Sequence, residues 1–195
     1  TYRVRVAEAI YHGIIDYLVD AAGRSQPKPA DSADSDWGAV RKVATAQLTP
    51  DSAVLYFGGP TNFDDSLMPE VRETPGLAAM DATDALTAVM HGLIAGPGKD
   101  SILQPTIPRG TVLRWVRLAG DVASVNLSAE FVSNHWGGSR AEEMTVYSIV
   151  NTLTEFAYVK RVRLLVEGKP IQSIAGHIDI DEPLVRNLSI VHFRS

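Results

Sequence analysis

The chain of 195 residues carries 23 acidic and 18 basic side chains, for a formal net charge of -5, with 45% hydrophobic residues and no cysteine. That length holds one sizeable domain and an extension. The lack of cysteine excludes, within this chain, disulfides, iron-sulfur clusters, zinc ribbons and thiol nucleophiles. The acidic balance argues against a general nucleic-acid binder, which needs a concentrated positive surface.

From Val4 to Ala22 the text reads as an amphipathic helix, with Val6, Ile10, Ile14, Tyr17, Leu18 and Ala21 on one side and Glu8, His12, Asp16 and Asp20 on the other. Gly23 is its stop. Such a helix serves as a partner or oligomerisation element or as the stub of a membrane-proximal segment, or it simply packs on its own domain or a neighbouring molecule; its acidic polar face counts against direct binding to anionic lipid. Residues 24–49 form a linker: Arg24 to Asp36 is rich in Pro, Ser, Ala and Asp, and a short helix is expected from Trp37 to Leu48. The compact domain occupies residues 50–195, after an N-terminal helix at 1–23.

Within that domain Ala53 to Phe57 is a buried-strand pattern ended by Gly58-Gly59-Pro60. Leu67 to Glu73 is a second strand, and its Pro69 favours an edge or a bulge. Leu86, Val89, Met90, Leu93 and Ile94 keep helical spacing from Thr83 to Ala95, where Gly96-Pro97 ends the run. A hairpin follows, Thr111 to Leu118 and Val122 to Leu127 across Ala119-Gly120-Asp121.

Gly138 to Phe156 is the best-specified helix. Ser139 is positioned to cap it, with Glu142 completing a capping box. Val146, Ile149, Val150, Leu153 and Phe156 form its apolar stripe, Ser148, Thr152 and Glu155 point away, and Asn151 lies just off the stripe. Lys160 to Val166 is a strand, Glu167-Gly168-Lys169 a turn and Ile171 to Ile174 a last strand. The tail from Gly176 to Ser195 wraps back on the domain. The order helix, strand, strand, helix, strand, with extra strands, predicts an α+β two-layer sandwich of two helices on a small mixed or antiparallel sheet.

Candidate chemistry is sparse. His177, Asp179 and Asp181 alternate, as a metal site on a strand requires, but an ordinary solvated edge explains them better because no further ligands are assigned. Glu130, Glu155 and Asp179 lack any geometry for a hydrolytic pair. There is no G-x-S-x-G elbow, Gly58-Gly59 and Gly137-Gly138 lack the Walker lysine, and His91 sits on the polar side of its helix. No catalytic residue, cofactor or metal is therefore assigned. Trp136 and Asn134, in the loop before the long helix, are candidate contact residues, although folding of Trp136 over the core is the plainer expectation. Arg161 and Arg163, with Lys160, Arg114 and Arg117, make a candidate basic strip where peptidoglycan or an acidic protein surface could dock, although an ordinary solvated sheet face is the commoner case. Asn151, Thr154, Glu155 and His177 are candidate structural polar groups, the first three tying the helix end to adjacent loops.

Several stretches in order resemble the GerMN domain of bacterial sporulation and spore germination proteins. They are LYF at Leu55 to Phe57, LMPEVRE at Leu67 to Glu73, LIAGP at Leu93 to Pro97, IPRGTVL at Ile107 to Leu113, VNLSAEF at Val125 to Phe131, SIVNTLTEF at Ser148 to Phe156, VRLLVEGKPI at Val162 to Ile171 and GHIDIDEPL at Gly176 to Leu184. Asn126 departs from the aspartate the family more often shows before Leu-Ser. The resemblance implies a topology similar to ring-building motif domains, with an α-β-β-α-β core. It also implies a non-enzymatic, extracytoplasmic protein, often lipid-anchored, that acts through contacts with another envelope protein or with itself and has no cofactor. Contact with the cell wall is a further option, nucleic acid is not expected, and membrane attachment is expected only through an anchor upstream of Thr1, since the chain does not begin with methionine and shows neither a signal peptide nor a spanning segment. The alternative is a small-ligand-binding or hydrolytic envelope protein with its pocket at residues 134–138 and a polar rim near Asn151 and His177.

Overall fold

A computed structural model of the chain describes residues 49–61 and 65–192. The expected N-terminal helix and the short helix from Trp37 to Leu48 lie outside the described residues. Strand β1, Ser52–Gly58, is buried along its whole length and pairs antiparallel with β2, Leu67–Glu73, from Ser52 opposite Glu73 to Gly58 opposite Leu67. Its side chains alternate between two apolar clusters. Ala53, Leu55 and Phe57 enter the main core, while Val54 and Tyr56 join Leu67, Ile190 and Val191 in a smaller one. A strand covered on both faces needs no polar alternation, which is why β1 reads as a continuous apolar run.

Helix α1, Ala82–Ala95, begins at Asp81, whose carboxylate accepts the amides of Thr83 at 2.8 Å and Asp84 at 3.0 Å, satisfying two donors left open by the first turn. Its Ala85, Leu86, Val89, Met90 and Leu93 are buried. Strands β3, Leu113–Ala119, and β4, Val122–Leu127, form the hairpin. A short helix α2, Glu130–Ser133, and the long α3, Ser139–Leu153, then carry the chain to β5, Arg161–Val166, which lies parallel to β4. Parallel neighbours require such a crossover. β6, Lys169–Pro170, closes a mixed sheet in the order β3-β4-β5-β6. Val116, Ala123, Val125, Leu127, Val162 and Leu164 fill the covered face of this sheet, under α1 and α3.

The architecture is the α+β sandwich expected from the element order, with β1 and β2 forming a separate two-stranded sheet. Three local expectations fail for identifiable reasons. Helix α3 begins at Ser139 with Gly138 in the cap position and no side-chain cap bond, so the capping box does not form. Ser148, Thr152 and Glu155 do not point to solvent; all three are buried, because β1 and the tail cover the side of α3 opposite the mixed sheet. The strand expected from Ile171 to Ile174 does not form; the ladder is limited to Lys169–Pro170, within and just after the expected turn, since the backbone that follows bonds to Glu142 of α3 instead of to β5.

Polar groups join α3 to that second layer. Thr152 Oγ1 accepts the Tyr56 amide at 3.1 Å, and Tyr56 Oη donates to Glu155 Oε1 at 2.6 Å. Arg186 of the tail bonds both Tyr56 Oη, at 2.7 Å, and the Glu155 carboxylate. Asn151 makes a double bond bridge to the tail, donating to the Asn187 carbonyl at 2.7 Å and accepting its amide at 3.0 Å. The tail is also clipped to β5 by reciprocal bonds between Val162 and Leu184 at 2.8 Å, and to β2 by Leu67 with Ile190 and His192.

Replacing Asn151 with leucine strands the half-buried Asn187 backbone groups and is expected to lower unfolding free energy by about 1–3 kcal/mol in urea titrations. Arg186→Met leaves the Glu155 carboxylate buried without its cation and is expected to cost about 3–5 kcal/mol, with part of that loss recovered in the Glu155→Leu, Arg186→Met double variant.

Candidate functional site

Two buried acids, Glu142 and Glu155, bond to distant parts of the chain. Glu142, fully buried in the first turn of α3, accepts Ser173 Oγ at 2.6 Å and the amides of Ile174 at 2.8 Å and Ala175 at 2.9 Å on Oε1. Its Oε2 accepts the amide of His177 at 2.9 Å. Burial pushes the Glu142 carboxyl upward, but the Ser173 hydroxyl and the amides of Ala175, His177 and Ile174 outweigh it and hold the group below the usual glutamate value. Glu155 is held through Oε1 by Tyr56 and Arg186, while its buried Oε2 has no hydrogen-bond partner. Nothing local in the sequence marks these roles: the partners of Glu142 lie more than thirty residues on, and a glutamate in a first helical turn reads as a capping residue.

The loop before α3 carries the most exposed aromatic group. His135 docks on the helix, its Nε2 at 3.2 Å from Thr145 Oγ1, while Nδ1 accepts the Gly137 amide at 3.0 Å. Burial pushes the His135 pKa down, against smaller upward effects from the Ala141 backbone and Glu142. Trp136 stacks on its outer side, with ring centroids 5.1 Å apart and planes 11° apart. Because His135 occupies the inner position, Trp136 does not fold over the core and remains 57% exposed. The chain then turns through Gly137 at φ 81° and Gly138 at φ 89°, a left-handed region open to glycine. Trp136 forms one wall of an open groove of about 400 Å³ with Gly58, Gly59, Gln104, Thr106, Arg140 and Met144. Asn134 is not a free contact group; its Nδ2 donates to the Arg109 carbonyl at 2.8 Å and fixes the loop.

The expected basic strip is narrower than its sequence spacing implies. An irregularity between Leu113 and Trp115 displaces Arg114, which bonds Glu167 at 2.8 Å. Arg161 pairs with Asp121 at 2.9 Å, whereas Arg163 stands opposite Ser124 in the sheet and Arg117 lies over the Trp115 ring at 4.4 Å. Of the polar anchors, Thr154 bonds the Val150 and Asn151 carbonyls of its own helix at 2.7 and 3.2 Å rather than a loop. His177 contributes its amide to Glu142 and its side chain to a separate cleft with Ser139, Arg140, Glu143 and Tyr147. Asn151, wholly buried on Asn187, reaches neither cavity, so the groove and the expected polar rim do not converge. His177, Asp179 and Asp181 lie on irregular backbone, and among the described residues no group of three or more His, Cys, Asp or Glu could hold a metal ion.

The low pKa of Glu142 gives a signed prediction. A carboxylate whose folded pKa lies below its unfolded value stabilises the fold above the unfolded value, near pH 4.3, and loses that contribution as pH falls through the folded value. Wild-type stability should therefore drop below about pH 4.3 more steeply than that of Glu142→Gln, and the variant should already be less stable at pH 7; melting curves across pH 2–7 read both effects.

Residues 54–172, more than half of the chain, match the Germane family, described as sporulation and spore germination. No curated protein matches the chain. Among solved structures the fold is similar to that of a putative lipoprotein from Clostridium perfringens, at 24% identity and a TM-score of 0.50 over 69% of this chain and 86% of that one. It is also similar to the first GerMN domain of the sporulation protein GerM from Bacillus subtilis, at 20% identity and a TM-score of 0.54, over 69% of this chain and 97% of the domain. Against the tandem GerMN domains of the same protein the values are 19% and 0.56, covering 72% of this chain but 47% of the tandem, so the chain spans about half of that length. With an α-β-β-α-β core and these matches, the chain belongs to the GerMN-containing sporulation and spore germination family.

Proposed function

We propose that this chain is a non-catalytic interaction or assembly module of the bacterial cell envelope, with Trp136 as its main anchor for an envelope protein or a second copy. The observation that carries this reading is the exposed indole, stacked on a docked His135 beside an open groove. A rigidly presented tryptophan supplies large contact area at little entropic cost, and such residues dominate interface energetics. By contrast, the buried acids Glu142 and Glu155 are engaged in holding loops, and engaged groups make poor general acids or bases.

An extracytoplasmic place is part of the same proposal. It is supported by the similarity to a protein named a putative lipoprotein and to the GerM domains of a sporulation protein. Among the described residues no helix is long and apolar enough to cross a membrane.

The test combines light scattering at rising protein concentration with capture from envelope fractions, using wild type and Trp136→Ala. Self-association or a captured partner should weaken by about 2 kcal/mol, roughly thirtyfold, in the variant, with an unchanged melting temperature. Turnover of a cell-wall substrate, or saturable binding of a small ligand in the groove without any protein partner, would overturn the proposal in favour of an enzyme or ligand-binding protein.

A further inference from the structure

The face of the mixed sheet turned away from α1 and α3, left uncovered by the described residues, carries a second, chemically different feature. The register places Arg117, Ser124 and Arg163 in one row across β3, β4 and β5, and Trp115, Asn126 and Leu165 in the next. Neighbouring strands are about 4.8 Å apart, so the two arginine backbones stand about 10 Å apart with only a serine between them. The result is a row with a cation on each side of Ser124, flanked by Trp115 and Leu165 with Asn126 between them. Arg117 is held over the Trp115 ring, which fixes its guanidinium without using its hydrogen-bond donors.

Two acids near this face are already paired. Asp121 is taken by Arg161 and Glu167 by Arg114, and among the described residues neither Arg117 nor Arg163 has a salt bridge. Two uncompensated cations lie side by side on a chain whose net charge is -5, so this row runs against the average field of the molecule.

We infer that the Arg117–Ser124–Arg163 row is a docking surface for an acidic segment of a partner protein, with carboxylate side chains on the two guanidiniums and an apolar side chain on Trp115 and Leu165. Arginine presents a planar fork that matches a carboxylate through paired hydrogen bonds, and Ser124 leaves room for the partner's chain to approach. A bilayer is the poorer fit. Insertion needs protruding apolar groups, yet Trp115 and Leu165 are half-buried, and the large exposed apolar residues Val71, Ile102, Val112, Trp136 and Val185 all lie off β3, β4 and β5. This surface is distinct from the Trp136 groove and stands whether or not that groove binds anything.

The full chain is titrated into a dye-labelled peptide of alternating glutamate and leucine, with fluorescence anisotropy as the readout, beside a peptide carrying glutamine for glutamate and vesicles of phosphatidylglycerol. The expected result is saturable binding of the glutamate peptide that weakens with salt and falls about tenfold or more in Arg117→Glu, Arg163→Glu, the combined effect of two exposed ion pairs. Arg117→Lys, Arg163→Lys should lose less, and Trp136→Ala should bind as wild type, which separates this surface from the groove. Unchanged melting temperatures certify the folded state of each variant. Equal binding of the glutamine peptide, insensitivity to the charge reversal, or binding of vesicles without binding of the peptide would overturn the inference.

Discussion

The carboxylate of Glu142 holds together two parts of the chain that have no strand pairing between them. A carboxylate removed from water remains charged only where donors replace its hydration, and here the donors are one hydroxyl and three consecutive-region amides from residues 173–177. The same bonds satisfy backbone groups of a segment that leaves the sheet after Pro170. One side chain therefore solves two desolvation problems, its own and that of a loop, and fixes where the C-terminal tail starts its return across the domain.

That return explains the character of α3. An amphipathic helix lying on one sheet exposes its polar side, but α3 has the mixed sheet on one side and β1 with the tail on the other. Its polar residues consequently become interior connectors: Thr152 to the β1 backbone, Asn151 to Asn187, Glu155 to Tyr56 and Arg186. Each bond is directional, so together they specify the position of the tail in a way that apolar packing of Ile190 and Val191 alone does not.

Elements defined by their own periodicity were legible in the sequence. The strand from Leu67 to Glu73, the hairpin about Gly120 and the helix ending before Gly96 stand where local patterning places them, and their order implied the α+β sandwich. What local patterning does not contain is the identity of the second layer over α3. Ser148, Thr152 and Glu155 occupy the side of the helix that ordinarily faces water, and only contacts with residues far away in sequence, such as Tyr56 and Arg186, make that side interior. Glu142 misleads for the same reason, since a helix-start glutamate and a long-range loop clamp look identical over a window of four residues. The surface was partly legible: Trp136 was identifiable as a loop aromatic, but its exposure depends on His135 taking the inner position against Thr145.

These long-range connections also constrain what the domain can offer a partner. With its interior acids committed to bonds that hold the tail, the remaining binding chemistry lies on parts that packing leaves uncovered: a rigid indole at one end of α3 and the outer face of the sheet. The two differ in kind. The indole offers area and shape, whereas the Arg117–Arg163 row offers charge on a nearly flat support. Their supports are also coupled, because the loop bearing Trp136 is docked on the first turns of α3 and α3 packs on the covered face of the same sheet. The indole and the arginine row are thus carried by elements that pack on one another, so substitutions in the core beneath α3 bear on both.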